Sequence, residues 1–173
     1  MNIIITCQRN LENPTISEIQ NLLERFGDEN ALVEKTVFSG IIQVQTSLDN
    51  IKILENFKEI IEEEPWLVRY CSRIIPIQKE CESKLEEITN TAIELSHRMK
   101  DNETYRITIE KRHSSLHTKE IISNIADSIS NKVSLENSDW EIVVQILRNR
   151  TGISVIPLDT ILSVEKQKRV KLD

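Results

Sequence analysis

Only three glycines occur in 173 residues, Gly27, Gly40 and Gly152, and no two of them are close in sequence. Phosphate-cradling loops, dinucleotide turns and nucleophile elbows all need clustered glycines, because only a residue without Cβ lets the backbone approach so closely. A P-loop, a GxGxxG turn and a GxSxG elbow are therefore excluded, and with them most enzymes built around one.

A chain of 20.1 kDa has room for one domain or two small ones. It can bury ~70 % of its unfolded surface, so no disulfide or metal staple is needed. The formal charge of −6 sets up a global field that repels nucleic acid. No apolar run reaches the ~20 residues of a membrane span. Residues 1–10 lack the basic n-region of a signal peptide. Cys7, Cys71 and Cys81 are an odd count without CxxC spacing, and read as reduced thiols buried in the core of a cytoplasmic protein with no membrane partner.

Charge divides the chain. Residues 1–64 carry 5 basic and 12 acidic side chains, whereas residues 65–173 carry 17 and 16. The break falls at Glu64-Pro65, where proline stops a preceding helix. An acidic N-terminal module and a near-neutral C-terminal one are expected.

The first module reads as two similar halves. Asn2–Thr6 is a β-branched run suited to a buried strand. Pro14 with a Thr15/Glu18 capping box predicts a helix start, Ile16, Ile19, Leu22, Leu23 and Phe26 give its apolar face, and Gly27 closes it. Leu32–Phe38 and Ile41–Gln45 read as strands joined through Ser39-Gly40. Asp49 caps a second helix that buries Ile51, Leu54, Phe57, Ile60 and Ile61. Leu67–Ile75 supplies a fourth strand. The order βαββαβ is ferredoxin-like.

Beyond it, Cys81–Met99 is expected to be helical, and Tyr105–Ile109 alternates as a half-buried strand does. Thr118 is a candidate cap for a helix burying Ile121, Ile122, Ile125 and Ile129. Ile142–Leu147 and Ile153–Ile156 are strands connected by residues 148–152, and the basic end, Glu165 to Lys171, is expected to fray. The fold class is α+β.

These residues carry a resemblance. Arg73-Ile74-Ile75-Pro76-Ile77 followed by Cys81 and Leu85-Glu86 resembles the entry segment of a THUMP domain. Tyr105–Arg112, the helix from Thr118, Asn131-Lys132-Val133-Ser134-Leu135 and the strand pair within 142–156 continue the likeness. It is closest to the small stand-alone THUMP proteins that act as adaptors in forming N4-acetylcytidine in tRNA. Ile4-Ile5-Thr6-Cys7 and Leu23-Glu24-Arg25-Phe26-Gly27 resemble the ferredoxin-like domain preceding THUMP in those adaptors. Where the family often has threonine-cysteine-lysine, this chain has Glu80-Cys81-Glu82. The resemblance implies a ferredoxin-like domain over residues 1–75 and a THUMP domain over 76–173. It further implies tRNA as a partner, a separate tRNA acetyltransferase as the source of any chemistry, no cofactor, and no catalysis by this chain. A methyltransferase or PP-loop module would need ~100 further residues.

The candidate RNA contacts are basic. Lys111, Arg112 and His113 follow a strand, and His117 and Lys119 begin the next helix, whose free N–H groups suit a phosphate. Arg69 and Arg73 read as sharing a strand face, either lining a groove or pairing with the acidic module. Arg148 and Arg150 lie in a hairpin turn, and Lys166, Lys168 and Arg169 lie in the tail. A solvated surface is the plainer reading of all of them. Trp66, Tyr70, Tyr105 and Trp140 read as packing residues, which leaves recognition of RNA shape and phosphates. His113 and His117 are four apart but lack a third ligand for zinc. Glu62–Glu64 reads as a solvated helix end. A ferredoxin-like homodimer that associates through sheet edges stays open as the alternative, as does the choice between monomer and homodimer.

Overall fold

Ile3, Ile4 and Ile5 are all buried, as the centre of a sheet requires. They lie in β1 (Ile3–Cys7), the middle strand of a five-stranded antiparallel sheet. The structure, a computed structural model, describes residues 1–170. The chain divides into two compact units, residues 1–76 with 161–170, and residues 77–160.

In the first unit β1 is followed by α1 (Glu12–Arg25), β2 (Leu32–Lys35), β3 (Ile41–Gln45), α2 (Asn50–Glu63) and β4 (Cys71–Pro76). Sheet order β2-β3-β1-β4, all antiparallel, is the ferredoxin-like arrangement. Ile19, Leu22 and Leu23 from α1 and Ile53, Leu54, Phe57 and Ile61 from α2 bury against Ile3, Ile5, Ile42 and Ile74. Gly27, at φ +113°, ends α1 in a Schellman motif: its N–H donates to the Glu24 carbonyl and the Asp28 N–H to that of Leu23. Asp49 caps α2, accepting from the N–H groups of Ile51 and Lys52.

The start of α1 departs from expectation. The helix begins two residues before Pro14, and no capping box forms. Thr15 bonds back to the Leu11 carbonyl, and Glu18 turns away to accept backbone N–H groups from Arg69, Tyr70 and Cys71.

The second unit contains β5 (Lys79–Glu82), α3 (Leu85–Ser96), β6 (Tyr105–Arg112), α4 (Thr118–Ser128), β7 (Trp140–Leu147) and β8 (Arg150–Pro157). Its sheet runs β5-β8-β7-β6, with β6 parallel to β7 and the other pairs antiparallel. A parallel pair needs a crossover, and α4 supplies it. Ile88 and Ala92 of α3 and Ile121 and Ile125 of α4 pack on Tyr105, Ile142, Val144, Ile146, Ile153 and Val155. Ile122, expected inside, is exposed.

Three further expectations change. The helix expected from Cys81 begins at Leu85, because Lys79–Glu82 pairs with β8 as a strand. The connection expected over residues 148–152 is only Arg148-Asn149, since Leu147 pairs directly with Arg150. The C-terminal segment does not fray within the second unit. It forms β9 (Leu162–Ser163) beside β4 and then α5 (Val164–Val170), with Leu162 and Val164 in the first core. The domain expected over 76–173 therefore lacks its last residues, which apolar burial draws into the first unit; Lys171 lies outside the described residues.

Candidate nucleic-acid interface

Strands β6 and β7 are parallel, so both end at the same side of their sheet. The Arg148 N–H donates to the Arg112 carbonyl at 2.9 Å and ties the two ends together. His113 and Arg148 adopt left-handed backbone conformations, at φ 52° and 56°, as the chain leaves each strand. Arg150 opens β8 opposite Leu147, which is itself opposite Arg112. The fold thus gathers Arg112, His113, Arg148 and Arg150 on one end of the second unit.

Their environments differ. His113, Arg148 and Arg150 are exposed, whereas Arg112 is half-buried. The Arg150 Nε donates to Glu80 at 2.9 Å, and Arg112 lies 3.7 Å from Glu110. The Arg112 Nη1 is buried without a hydrogen-bond partner in the protein. Glu80 and Glu82, the departure from the family pattern, sit on β5 beside Arg150, and Glu82 ion-pairs with Lys84 at 2.8 Å. The basic cluster therefore grades into a mixed-charge edge.

Lys111 and Arg112, adjacent in a strand, project to opposite faces. Arg112 shares its face with Arg106 and Thr108, which bond Glu141. Lys111 lies on the α4 side, where its ammonium donates to the Leu116 carbonyl at 2.7 Å and closes the loop before that helix. His117 precedes α4 without a side-chain cap, and Thr118, expected to cap it, is its first residue. Lys119 is exposed in the first turn. Lys111, His117 and Lys119 thus form a second basic group, separate from the Arg112 face.

Arg69, Arg73, Lys166, Lys168 and Arg169 belong to the first unit. Arg69 precedes β4 rather than sharing it with Arg73, because residues 69–70 form a bend held by Glu18. Both arginines nevertheless line one cleft of about 580 Å³ with Lys168. The Lys168 Nζ donates to the Val68 carbonyl at 2.7 Å. Arg169 ion-pairs with Glu165, and Lys166 is exposed. Sequence reasoning missed this convergence, since the pairing of Arg73 with Ser163 in β9 creates it.

Burial pushes Cys7, Cys71 and Cys81 above the ordinary thiol range. Among the described residues, no three His, Cys, Asp or Glu side chains converge to hold a metal, and no helix is long and apolar enough to cross a membrane. Of the aromatic residues expected to pack, Tyr105 is fully buried but Trp66 is 63 % exposed. The Glu62–Glu64 run ends in an ion pair, Glu64 with Arg25 at 2.5 Å.

Residues 82–156 match the THUMP domain family, so the second unit contains a THUMP domain. Over its full length the chain is similar to an uncharacterized protein of Methanocaldococcus jannaschii, MJ0421: 24 % identical over 98 % of this chain and 44 % of that protein. PH1313 from Pyrococcus horikoshii shares the fold over 92 % of this chain and 58 % of its own, at 20 % identity and TM-score 0.66. A 4-thiouridine synthetase, solved as an RNA complex with bound ATP, shares it over 92 % and 44 %, at 13 % identity and TM-score 0.55. This chain spans about half the length of these proteins.

Proposed function

We propose that the chain is a non-catalytic tRNA-binding adaptor that presents tRNA to a separate modification enzyme, an acetyltransferase forming N4-acetylcytidine. The observation that carries the RNA-binding part is the THUMP domain, with Arg112, His113, Arg148 and Arg150 collected at one sheet end. The acetylation part is supported by the Asn131–Leu135 stretch, which resembles the small THUMP adaptors. A second reading has its own support. The fold is shared with a thiouridine synthetase in complex with RNA, so the chain equally suits the RNA-binding part of another tRNA-modifying enzyme.

Binding works through cations and shape, without base stacking at the sheet end. That end offers three exposed basic side chains to a phosphate backbone, and Arg112 carries a buried N–H that still lacks an acceptor. A net charge of −6 opposes this attraction, so tRNA affinity of the chain alone is on the order of micromolar at physiological salt.

The test is tRNA binding by the full chain over a salt series. Arg112→Glu with Arg148→Asn, the latter compatible with a left-handed backbone, is expected to weaken binding about tenfold or more. Lys111→Glu has a smaller effect, because that ammonium already holds Leu116. Lys52→Glu with Lys58→Glu on α2 is the matched control, and equal losses there would reveal a global charge effect. Cytidine acetylation that needs both this chain and an added acetyltransferase supports the adaptor. Turnover by the chain alone overturns it.

A further inference from the structure

We propose that the cleft of the first unit is a second phosphate-binding site for the RNA strand, which gives the ferredoxin-like unit a direct part in recognition; this rests on the RNA-binding reading above. The cleft's charge runs against its surroundings. Residues 1–76 with 161–173 carry 14 acids and 11 bases, yet the charged side chains lining the cleft are Arg69, Arg73, Lys168 and a single acid, Glu165. Glu165 is itself engaged by Arg169. The cations come from two distant segments: Val68 and Lys168, which meet there, are 100 residues apart in sequence. Pairing of β9 with β4 at Arg73 and Ser163 is what joins them.

The site is also pre-organised. The Glu18 carboxylate accepts the N–H groups of Arg69, Tyr70 and Cys71, which fixes the bend carrying the first cation. Lys168 is held by a neutral carbonyl, that of Val68, so its position is set while its charge stays uncompensated by that bond. The Arg69 guanidinium lies over the Tyr70 ring, 5.9 Å from its centroid, and presents a flat cationic surface of the kind on which an unstacked base lies. A volume of about 580 Å³ accommodates one nucleotide and lies within the usual range for small-ligand sites. Burial raises the pKa of the Cys71 thiol in the cleft wall.

The test uses the full chain, ¹⁵N-labelled, titrated separately with inorganic phosphate, AMP and a single-stranded RNA tetranucleotide. The tetranucleotide is expected to shift the amides of Tyr70, Ser72 and Ser163. Arg69→Ala with Arg73→Gln is expected to weaken that binding about tenfold and to lower the salt slope by about one for each phosphate no longer neutralised. Arg69→Ala alone, at an exposed side chain, keeps the result readable if the double variant does not fold. Cleft shifts with phosphate or AMP but none with RNA overturn the proposal, as do no shifts with any probe. RNA shifts confined to residues 111–113 and 148–150 also overturn it, while leaving the THUMP interface standing. Cleft shifts without those would retain the cleft and remove that interface.

Discussion

Asp28 is a buried acid whose carboxylate is satisfied by local donors. Its oxygens accept the Thr46 hydroxyl and the N–H groups of Ser47 and Asn30. The Thr46 hydrogen bond, followed by that of Ser47, holds its pKa below the ordinary carboxylate value. A carboxyl depressed in the folded state stabilises above its unfolded pKa, and that stabilisation is lost as pH falls through the folded value. Asp28→Asn is therefore expected to lower the thermal midpoint by several degrees at pH 7. The difference from the unaltered chain should shrink below about pH 4 and vanish at still lower pH. Thermal melts of both chains across pH 2–7 check this, and a constant gap would contradict it. Single residues also mark where sequence reasoning reached its end. Glu18 reads as a capping partner for Thr15, but its long side chain instead serves three N–H groups some fifty residues away. Nothing local in the sequence signals that choice.

Elements defined by their own periodicity were legible, and those defined by a distant partner were not. The isoleucine run of β1, the cap at Asp49 and the glycine end of α1 are local signals with local causes. Lys79–Glu82 has no strand pattern of its own and is a strand because β8 offers an edge. The opposite facing of Lys111 and Arg112 was available from the two-residue strand period, whereas the meeting of Arg112 with Arg148 needed the parallel pairing of β6 and β7. Gly40 is an element-scale constraint. It sits at φ +74° in the β2–β3 connection, its carbonyl accepts the Cys7 N–H, and its own N–H donates to Glu12. A Cβ there would lie 2.6 Å from the Cys7 carbonyl oxygen. Gly40→Ala is expected to cost about 1–3 kcal/mol in backbone strain alone, before the clash is counted. Denaturant unfolding measures this, and a loss under about 0.5 kcal/mol would show that the connection rearranges freely.

At the scale of the whole molecule, the charge asymmetry read along the sequence disappears once the chain is divided as it folds: residues 1–76 with 161–173 carry 11 basic and 14 acidic side chains, and residues 77–160 carry the same numbers. The first unit takes back β9 and α5 after the second unit has been completed. Leu162 and Val164, 3 % and 4 % exposed, join the first core from that returning segment. Ending the chain after Thr160 removes both, and at about 1.5–3 kcal/mol for each buried side chain the first unit should lose roughly 3–6 kcal/mol. The second unit's core draws on none of these residues. Hydrogen exchange on the shortened chain should then show protection lost in β1, β3 and β4 and retained in β7 and β8. Equal loss in both units would mean that they unfold together.

The return of β9 to β4 also sets an order on biosynthesis. Every strand and helix of residues 77–160 is synthesised before Leu162 and Val164 exist. At about 5–20 residues per second, the later unit can fold while the earlier one still lacks its closing strand. The first unit is thus begun before the second and finished after it.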